Sequence, residues 1–291
     1  MRRRQRPAGA DRITLLPSHR SRLARPALAG AVAAVIVVAA VIFPAAPSLA
    51  IRLAAAVHTL GLKADQVTTG TRVRAPVAGS AVGALFTTAP AGLSVSGHFC
   101  TASVVNSPAG DVVMTAAHCV SGLKPSQFVF VPGYRNGHAP YGAWSVTRVV
   151  VDQAWSSSAS IDDDVAFLVV KKAGTTASLQ SLTGGERLGF GQPAGQIVHV
   201  TGYPNGTTAP ISCLNRAAPF SPTELEFDCD GYTNGTSGSA LLAGVDPRTG
   251  LGTVIGVIGG YQEGGDTNSV SYADRLGANV AAMYRIATGR S

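Results

Sequence analysis

From residue 77 onward, short runs of apolar or alternating apolar and polar residues recur, each closed by Gly, Pro or Asn. They cover 82–87, 98–105, 112–115, 128–131, 144–151, 165–170, 197–202, 225–229, 240–243 and 253–258. Runs of this length, closed by turn formers, read as strands rather than helices. Their number and spacing predict an all-β body, either two β-barrels or a sandwich. The stretch 173–185, rich in Gly, Thr and Ser, reads as a linker between a first half over about 77–172 and a second over about 186–272. The end of the chain departs from this texture. Leu276, Val280 and Met283 recur at helical spacing, Ser271 and Asp274 can form a capping box, and Gly289 can act as a stop. One helix is therefore predicted over about 273–288.

The first 76 residues lack the strand pattern. An Arg-rich stretch ends at Arg25, and an uncharged apolar run, 27–43, follows. Ser48-Leu49-Ala50 then has the small-x-small form of a signal peptidase site. Residues 1–50 are thus a signal peptide or, if uncleaved, a membrane anchor, since the apolar stretch extended to Ala50 reaches the about 20 residues that a bilayer needs. In both cases the positive flank stays inside and the rest is exported. Residues 51–76 read as a propeptide or stem, and 77–291 as the folded domain.

Charge changes the picture only by its location. The net charge is +7, and residues 1–50 hold eight arginines and one acid, Asp11. The rest of the chain is balanced, so the basic pI belongs to the leader. A nucleic-acid partner would need a basic surface on the folded domain, and none is expected. The 34 Gly and 17 Pro, with only 13% charged residues, suit a turn-rich globule and argue against disorder. The four cysteines lie outside the leader in two close pairs, Cys100 with Cys119 and Cys213 with Cys229. In an exported chain such pairs predict disulfides. No C-x-x-C spacing occurs, and His98, His138 and His199 do not cluster by spacing, so neither metal nor cofactor is expected.

Three segments carry chemistry. Val113-Met-Thr-Ala-Ala-His-Cys119 runs a strand into a turn that holds His118, and a Cys100–Cys119 bond would tie that turn to the preceding strand and fix the imidazole. General-base catalysis needs such fixed geometry. In Asp162-Asp-Asp-Val-Ala-Phe-Leu-Val-Val170, Asp164 abuts an apolar strand. A carboxylate held there can be desolvated and aimed at an imidazole Nδ1–H, while Asp162 and Asp163 stay in water. In Thr233-Asn-Gly-Thr-Ser-Gly-Ser-Ala-Leu241, Ser237 stands at the mouth of an apolar strand. The glycines allow the N–H groups of Gly235 and Ser237 to point at one spot, as an oxyanion hole requires. Taken singly, the His is more often structural, the Asp run a solvated turn, and Asn-Gly a β-turn.

Taken together, Thr115-Ala-Ala-His-Cys119, Asp164-Val-Ala-Phe-Leu168 and Gly235-Thr-Ser-Gly-Ser239 resemble the three signature blocks of the chymotrypsin/trypsin-like serine proteases, in that family's chain order. Subtilisins and α/β-hydrolases have other orders. The resemblance covers about 77–287 and is nearest the bacterial secreted, glutamyl-endopeptidase-like branch. It implies two six-stranded antiparallel barrels with His118, Asp164 and Ser237 in the cleft between them, a peptide or protein substrate, and a monomer. By the same resemblance Gly231, Ile258, Gly259, Gly260 and Tyr261 line the substrate cleft.

The departures are informative. Thr236 stands where the family has an Asp before the nucleophile, and Thr233 where it usually has a cysteine; the pair at Cys213 and Cys229 takes over from that cysteine's bond. In the family pattern a freed N-terminal ammonium pairs with that Asp. A hydroxyl cannot neutralise an ammonium, so this switch is not expected here. Ile258 stands near the place of the glutamyl branch's pocket His, and Gly231 at the place of the tryptic pocket Asp, so neither specificity is supported. The competing reading is a catalytically silent protease fold kept for binding. Such a module has no need of all three catalytic groups and the oxyanion glycines.

Overall fold

A computed structural model of the chain describes residues 70–73, 80–88 and 97–289. The expected leader, its apolar run and the Ser48-Leu49-Ala50 site lie outside the described residues, as does most of the stretch 51–76. Among the described residues no helix is long and apolar enough to cross a membrane.

Six strands close the first barrel: β2 (Val82–Thr87), β3 (His98–Val104), β4 (Val112–Thr115), β5 (Phe128–Pro132), β6 (Trp144–Val151) and β7 (Ala166–Lys171), in the order β2-β3-β4-β7-β6-β5. Leu85, Val113, Phe130, Trp144 and Leu168 fill its interior. The second barrel closes the same way from β9 (Ile197–Gly202), β10 (Ile211–Pro219), β11 (Glu224–Asp228), β12 (Ala240–Ala243), β13 (Thr253–Ile258) and β14 (Val270–Arg275). β10 and β12 both pair with β9, and the path between them runs through β11, β14 and β13. Two short strands lie outside these rings. β1 (Thr71–Arg72) pairs antiparallel with β10, and β8 (Arg187–Leu188) parallel with β13.

A separate core explains why several strands are apolar on both faces. Met114 and Phe167 of the first barrel meet Leu242, Val254 and Val257 of the second, and Val280, Met283 and Ala287 of a helix seal the seam. Every strand residue of β4 and β12 is buried, as expected for strands with one face in a barrel and the other against a neighbour. Each fully buried large side chain contributes roughly 1.5–3 kcal/mol.

The helices are short. α1 (Gln153–Ser158) starts at Asp152, whose carboxylate accepts from the Ala154 N–H. α2 (Leu179–Thr183) lies inside the expected linker, capped by Ser178 and anchored by fully buried Leu179. The terminal helix α3 (Ala278–Ala287) starts five residues later than expected. Ser271 and Asp274, the expected capping pair, are buried residues of β14. Two ladders, to β11 and β13, outweigh the local helical signal there. The helix itself begins after Gly277 with no side-chain cap.

Candidate active site

His118 opens a 3-10 turn, His118–Val120, directly after β4. Its backbone N–H donates to Asp164 Oδ1 at 2.7 Å, and its ring Nδ1 lies 2.6 Å from Asp164 Oδ2. This double contact orients the ring and leaves Nε2 as its outward nitrogen, 3.7 Å from Cys119 Sγ. Asp164 is fully buried. A further donor, the Gly260 N–H, reaches Oδ2 at 2.9 Å, so the buried carboxylate is held on three sides. Asp162 is exposed and accepts from the Thr223 hydroxyl, whereas half-buried Asp163 accepts from Ser160 and Asn279. Solvation alone therefore does not describe Asp163: a side chain of α3 holds it.

The expected cysteine pairs both form. Cys100 bonds Cys119 with a Cα–Cα distance of 6.1 Å, and Cys213 bonds Cys229 at 6.5 Å. The first joins β3 to the His118 turn.

Ser237 sits on the loop before β12, half-buried. Its Oγ donates to the Glu263 carbonyl at 3.5 Å, and no hydrogen bond joins it to His118 among the described residues. The loop is fastened to the first barrel by Thr101. The Thr101 N–H donates to the Ser237 carbonyl at 2.8 Å, and its hydroxyl donates to the Gly235 carbonyl at 2.9 Å. Gly238 permits the approach: its φ is +83°, and a Cβ there would stand 2.1 Å from the Thr101 carbonyl.

Two peptides of this loop are turned by their carbonyls. The Asn234 carbonyl accepts from the Asn205 N–H, and the Thr236 carbonyl accepts from both the N–H and the hydroxyl of Ser239. Because a trans peptide directs N–H opposite to C=O, the N–H groups of Gly235 and Ser237 face away from these bonds. Neither finds an acceptor among the described residues. Thr236 itself donates to the Thr233 carbonyl at 2.8 Å and is 3% exposed.

The expected cleft residues are placed less uniformly. The Ile258 side chain is buried in the second barrel's core, and its carbonyl accepts from the Gly238 N–H. Gly259 packs against the Asp164 carboxylate and Gly260 against Glu224, while Tyr261 is 39% exposed beside Phe220 and Tyr272. Gly231 lies against the Arg72 guanidinium, which also donates to the Asp230 carbonyl. Sequence reasoning missed this last contact, because 70–73 falls in a stretch read as stem. It also missed Thr101 and Glu224, and it read Asp274 as a helix cap rather than a buried strand residue. A polar residue inside an apolar run is the only signal the first of these carries.

Two closed barrels with a His–Asp pair and a serine loop at their junction define a chymotrypsin-like protease domain. A family model described as Trypsin matches residues 84–276, and the chain belongs to that family of serine proteases. Over 74 residues it is 36% identical to Trypsin zeta of Drosophila erecta, which is 25% of each chain, so it spans about a quarter of the length of that curated relative. Solved structures share the fold. The protease Anisep from Arthrobacter nicotinovorans is 24% identical, with a TM-score of 0.62, covering 75% of this chain and 99% of its own. The thermostable serine protease AL20 from an extremophilic microorganism is also 24% identical, with a TM-score of 0.61 and coverages of 74% and 100%. A Glu endopeptidase is 16% identical, with a TM-score of 0.56 and coverages of 77% and 98%.

Proposed function

We propose that this chain is an exported serine endopeptidase that cleaves peptide or protein substrates through an acyl-enzyme on Ser237. The observation that carries the reading is the His118–Asp164 contact, with Nδ1 at 2.6 Å from the carboxylate, next to two unused N–H groups on the serine loop.

In this reading the Ser237 hydroxyl turns from the Glu263 carbonyl to His118 Nε2 when substrate enters. Nε2 takes the hydroxyl proton as Oγ attacks the scissile carbonyl carbon. Asp164 holds the tautomer with Nδ1 protonated and stabilises the imidazolium that forms. The N–H groups of Gly235 and Ser237 receive the oxyanion, a role in which one donor contributes about 3 kcal/mol. His118 returns the proton to the leaving amine. A water then attacks the acyl group, with the same histidine as base, and frees Ser237.

The leader directs export, either cleaved after Ala50 or kept as an anchor, and the domain acts as a monomer without metal, cofactor or nucleic acid. A fluorophosphonate probe tests the chemistry. Labelling of the wild type, its loss in Ser237→Ala, and cleavage of casein by the wild type alone are expected. An unlabelled wild type would favour the silent binding module. N-terminal sequencing of culture supernatant tests export, with a start after Ala50 expected for a released form.

A further inference from the structure

Three carboxyl groups meet behind the candidate triad. Asp164 is 0% exposed, Asp274 1% and Glu224 2%. Glu224 and Asp274 are register partners on the β11–β14 ladder. The turn at Gly259, Gly260 and Tyr261 lies between them and Asp164. Its Gly260 N–H donates to Asp164 Oδ2 at 2.9 Å, and its Tyr261 N–H to Glu224 Oε1 at 2.6 Å. No side chain fits between these groups. A Cβ on Gly260 would stand 2.3 Å from Glu224 Oε1 and 3.0 Å from Asp274 Oδ1, and one on Gly259 would stand 2.9 Å from Asp164 Oδ2.

Asp274 is the member without a task. Neither of its oxygens has a hydrogen-bond partner among the described residues. Among the described residues no cation balances it. The ion pairs among the described residues are His118–Asp164 and Arg248–Asp246, and the neighbouring Arg275 donates instead to the Pro222 and Gln192 carbonyls. The groups facing Asp274 are Asp162 and Asp164 from the segment before β7 and Glu224 from β11, while β13 sets Val257 beside it. The Tyr272 phenol interacts with Glu226, Tyr261, Asp228 and Glu224, and neither it nor the Tyr261 phenol is among the groups acting on Asp274. A buried carboxylate among acids, with at most the Asp164 N–H near it, is costlier than the protonated acid.

We propose that Asp274 is a positioning residue of the active site: packed as an uncharged acid behind Asp164 and Glu224, it lets the Gly259–Gly260 backbone close on the Asp164 carboxylate, and its ionisation opens that contact. The proposal rests on the catalytic reading of Asp164, His118 and Ser237. Burial pushes the Asp274 carboxyl up to about 9, the charges of Asp164 and Glu224 push in the same sense, and only the Asp164 N–H works against them. Glu224 is also raised, first by burial. Below this range Asp274 is the neutral member of the cluster, and its neighbours Asp164 and Glu224 both oppose its ionisation. Above it a further charge arises with only the Asp164 N–H to meet it, and water must enter behind the Gly260 turn.

The test is the pH dependence of the second-order rate at which a fluorophosphonate labels the full-length protein. For the wild type the rate is expected to fall on the alkaline side near pH 9. Asp274→Asn keeps the shape and cannot ionise, so the fall should move up by about one pH unit or more, or vanish. Glu224→Gln keeps an acceptor for the Tyr261 N–H and removes a charge that raises Asp274, so the fall should move to lower pH. These opposite shifts are not what loss of packing produces. If Asp274→Asn does not fold, the Glu224→Gln shift decides alone. An alkaline limb that stays in place in every folded variant, with the wild type labelled, overturns the proposal. A wild type labelled at no pH overturns the catalytic reading, and this inference with it.

Discussion

Thr101 and Ser237 lie 136 positions apart in the chain, yet the Thr101 N–H donates to the Ser237 carbonyl at 2.8 Å. The Thr101 hydroxyl donates to the Gly235 carbonyl and accepts from the Tyr203 N–H at 2.9 Å each. One buried strand residue of the first barrel thus sets the serine loop of the second. Thr101→Val keeps the shape but leaves the Gly235 carbonyl and the Tyr203 N–H unpaired in the interior. Each such loss costs about 1–3 kcal/mol. The expected result is a labelling rate by fluorophosphonate lowered by about tenfold or more, with Thr101→Ser much milder. Equal rates for the Val variant and the wild type would show that the loop does not need this clamp.

Within the acidic run, the geometry separates three neighbours. Only Asp164 reaches His118, whereas Asp162 meets Thr223, and Asp163 meets Ser160 and Asn279. Ser237→Ala, His118→Ala and Asp164→Asn should each lower kcat by on the order of 10⁴. Asp162→Asn and Asp163→Asn should change it little, although Asp163→Asn costs some stability, since one oxygen cannot accept from both Ser160 and Asn279. Steady-state kinetics on a peptide substrate decides. A crippling Asp163→Asn beside a mild Asp164→Asn would reverse the assignment.

The segment 70–73 belongs to the second barrel's surface. The Gly70 N–H donates to the Asp228 carbonyl at 3.0 Å and the Val73 N–H to the Ser212 carbonyl at 3.1 Å. Gly70 packs on Cys213 Sγ so closely that a Cβ would stand at 2.6 Å. Domains starting at Arg74 or Val77 lose this strand and should melt several degrees lower than one starting at Thr69. Because the Thr236 hydroxyl is satisfied by Thr233, no ammonium is needed beside it. Adding one residue to any of these starts should leave the titrated active fraction unchanged. Activity confined to one start would show that a free amino group is used after all.

Glu186 gives a pH signature of stability. It is 1% exposed, with one oxygen accepting from the Gly252 N–H at 2.6 Å. Burial pushes its carboxyl up to about 7, against lesser pulls from that N–H and Arg187. An acid whose folded value lies above its unfolded value, about 4.3, stabilises the fold fully below that lower value. The contribution is lost as pH rises toward 7. Glu186→Gln, which keeps the acceptor, should therefore gain on the wild type by about 3 kcal/mol between pH 4 and pH 8. Urea melts at the two pH values measure this, and a constant difference would refute it.

The sequence by itself determined the strands whose burial pattern is written locally. The runs at 82–87, 112–115, 144–151, 197–202, 240–243 and 253–258 coincide with β2, β4, β6, β9, β12 and β13. The His118 and Asp164 blocks were equally legible, because each is a strand end with a polar residue against apolar neighbours. The tertiary structure alone decided the rest. β10 carries Asn215 and Arg216 in mid-strand, and β14 carries Ser271 and Asp274, so neither shows a clean alternation. They are strands because partners on both sides satisfy their backbone. β1 was invisible for the same reason: a two-residue strand exists only by virtue of β10. Asp274 shows the limit most sharply. Its neighbours in the chain made it a helix cap, while its neighbours in space, Asp164 and Glu224, make it a buried acid. Local sequence sets which backbone shapes are cheap, but the free energy of a charge depends on everything packed around it.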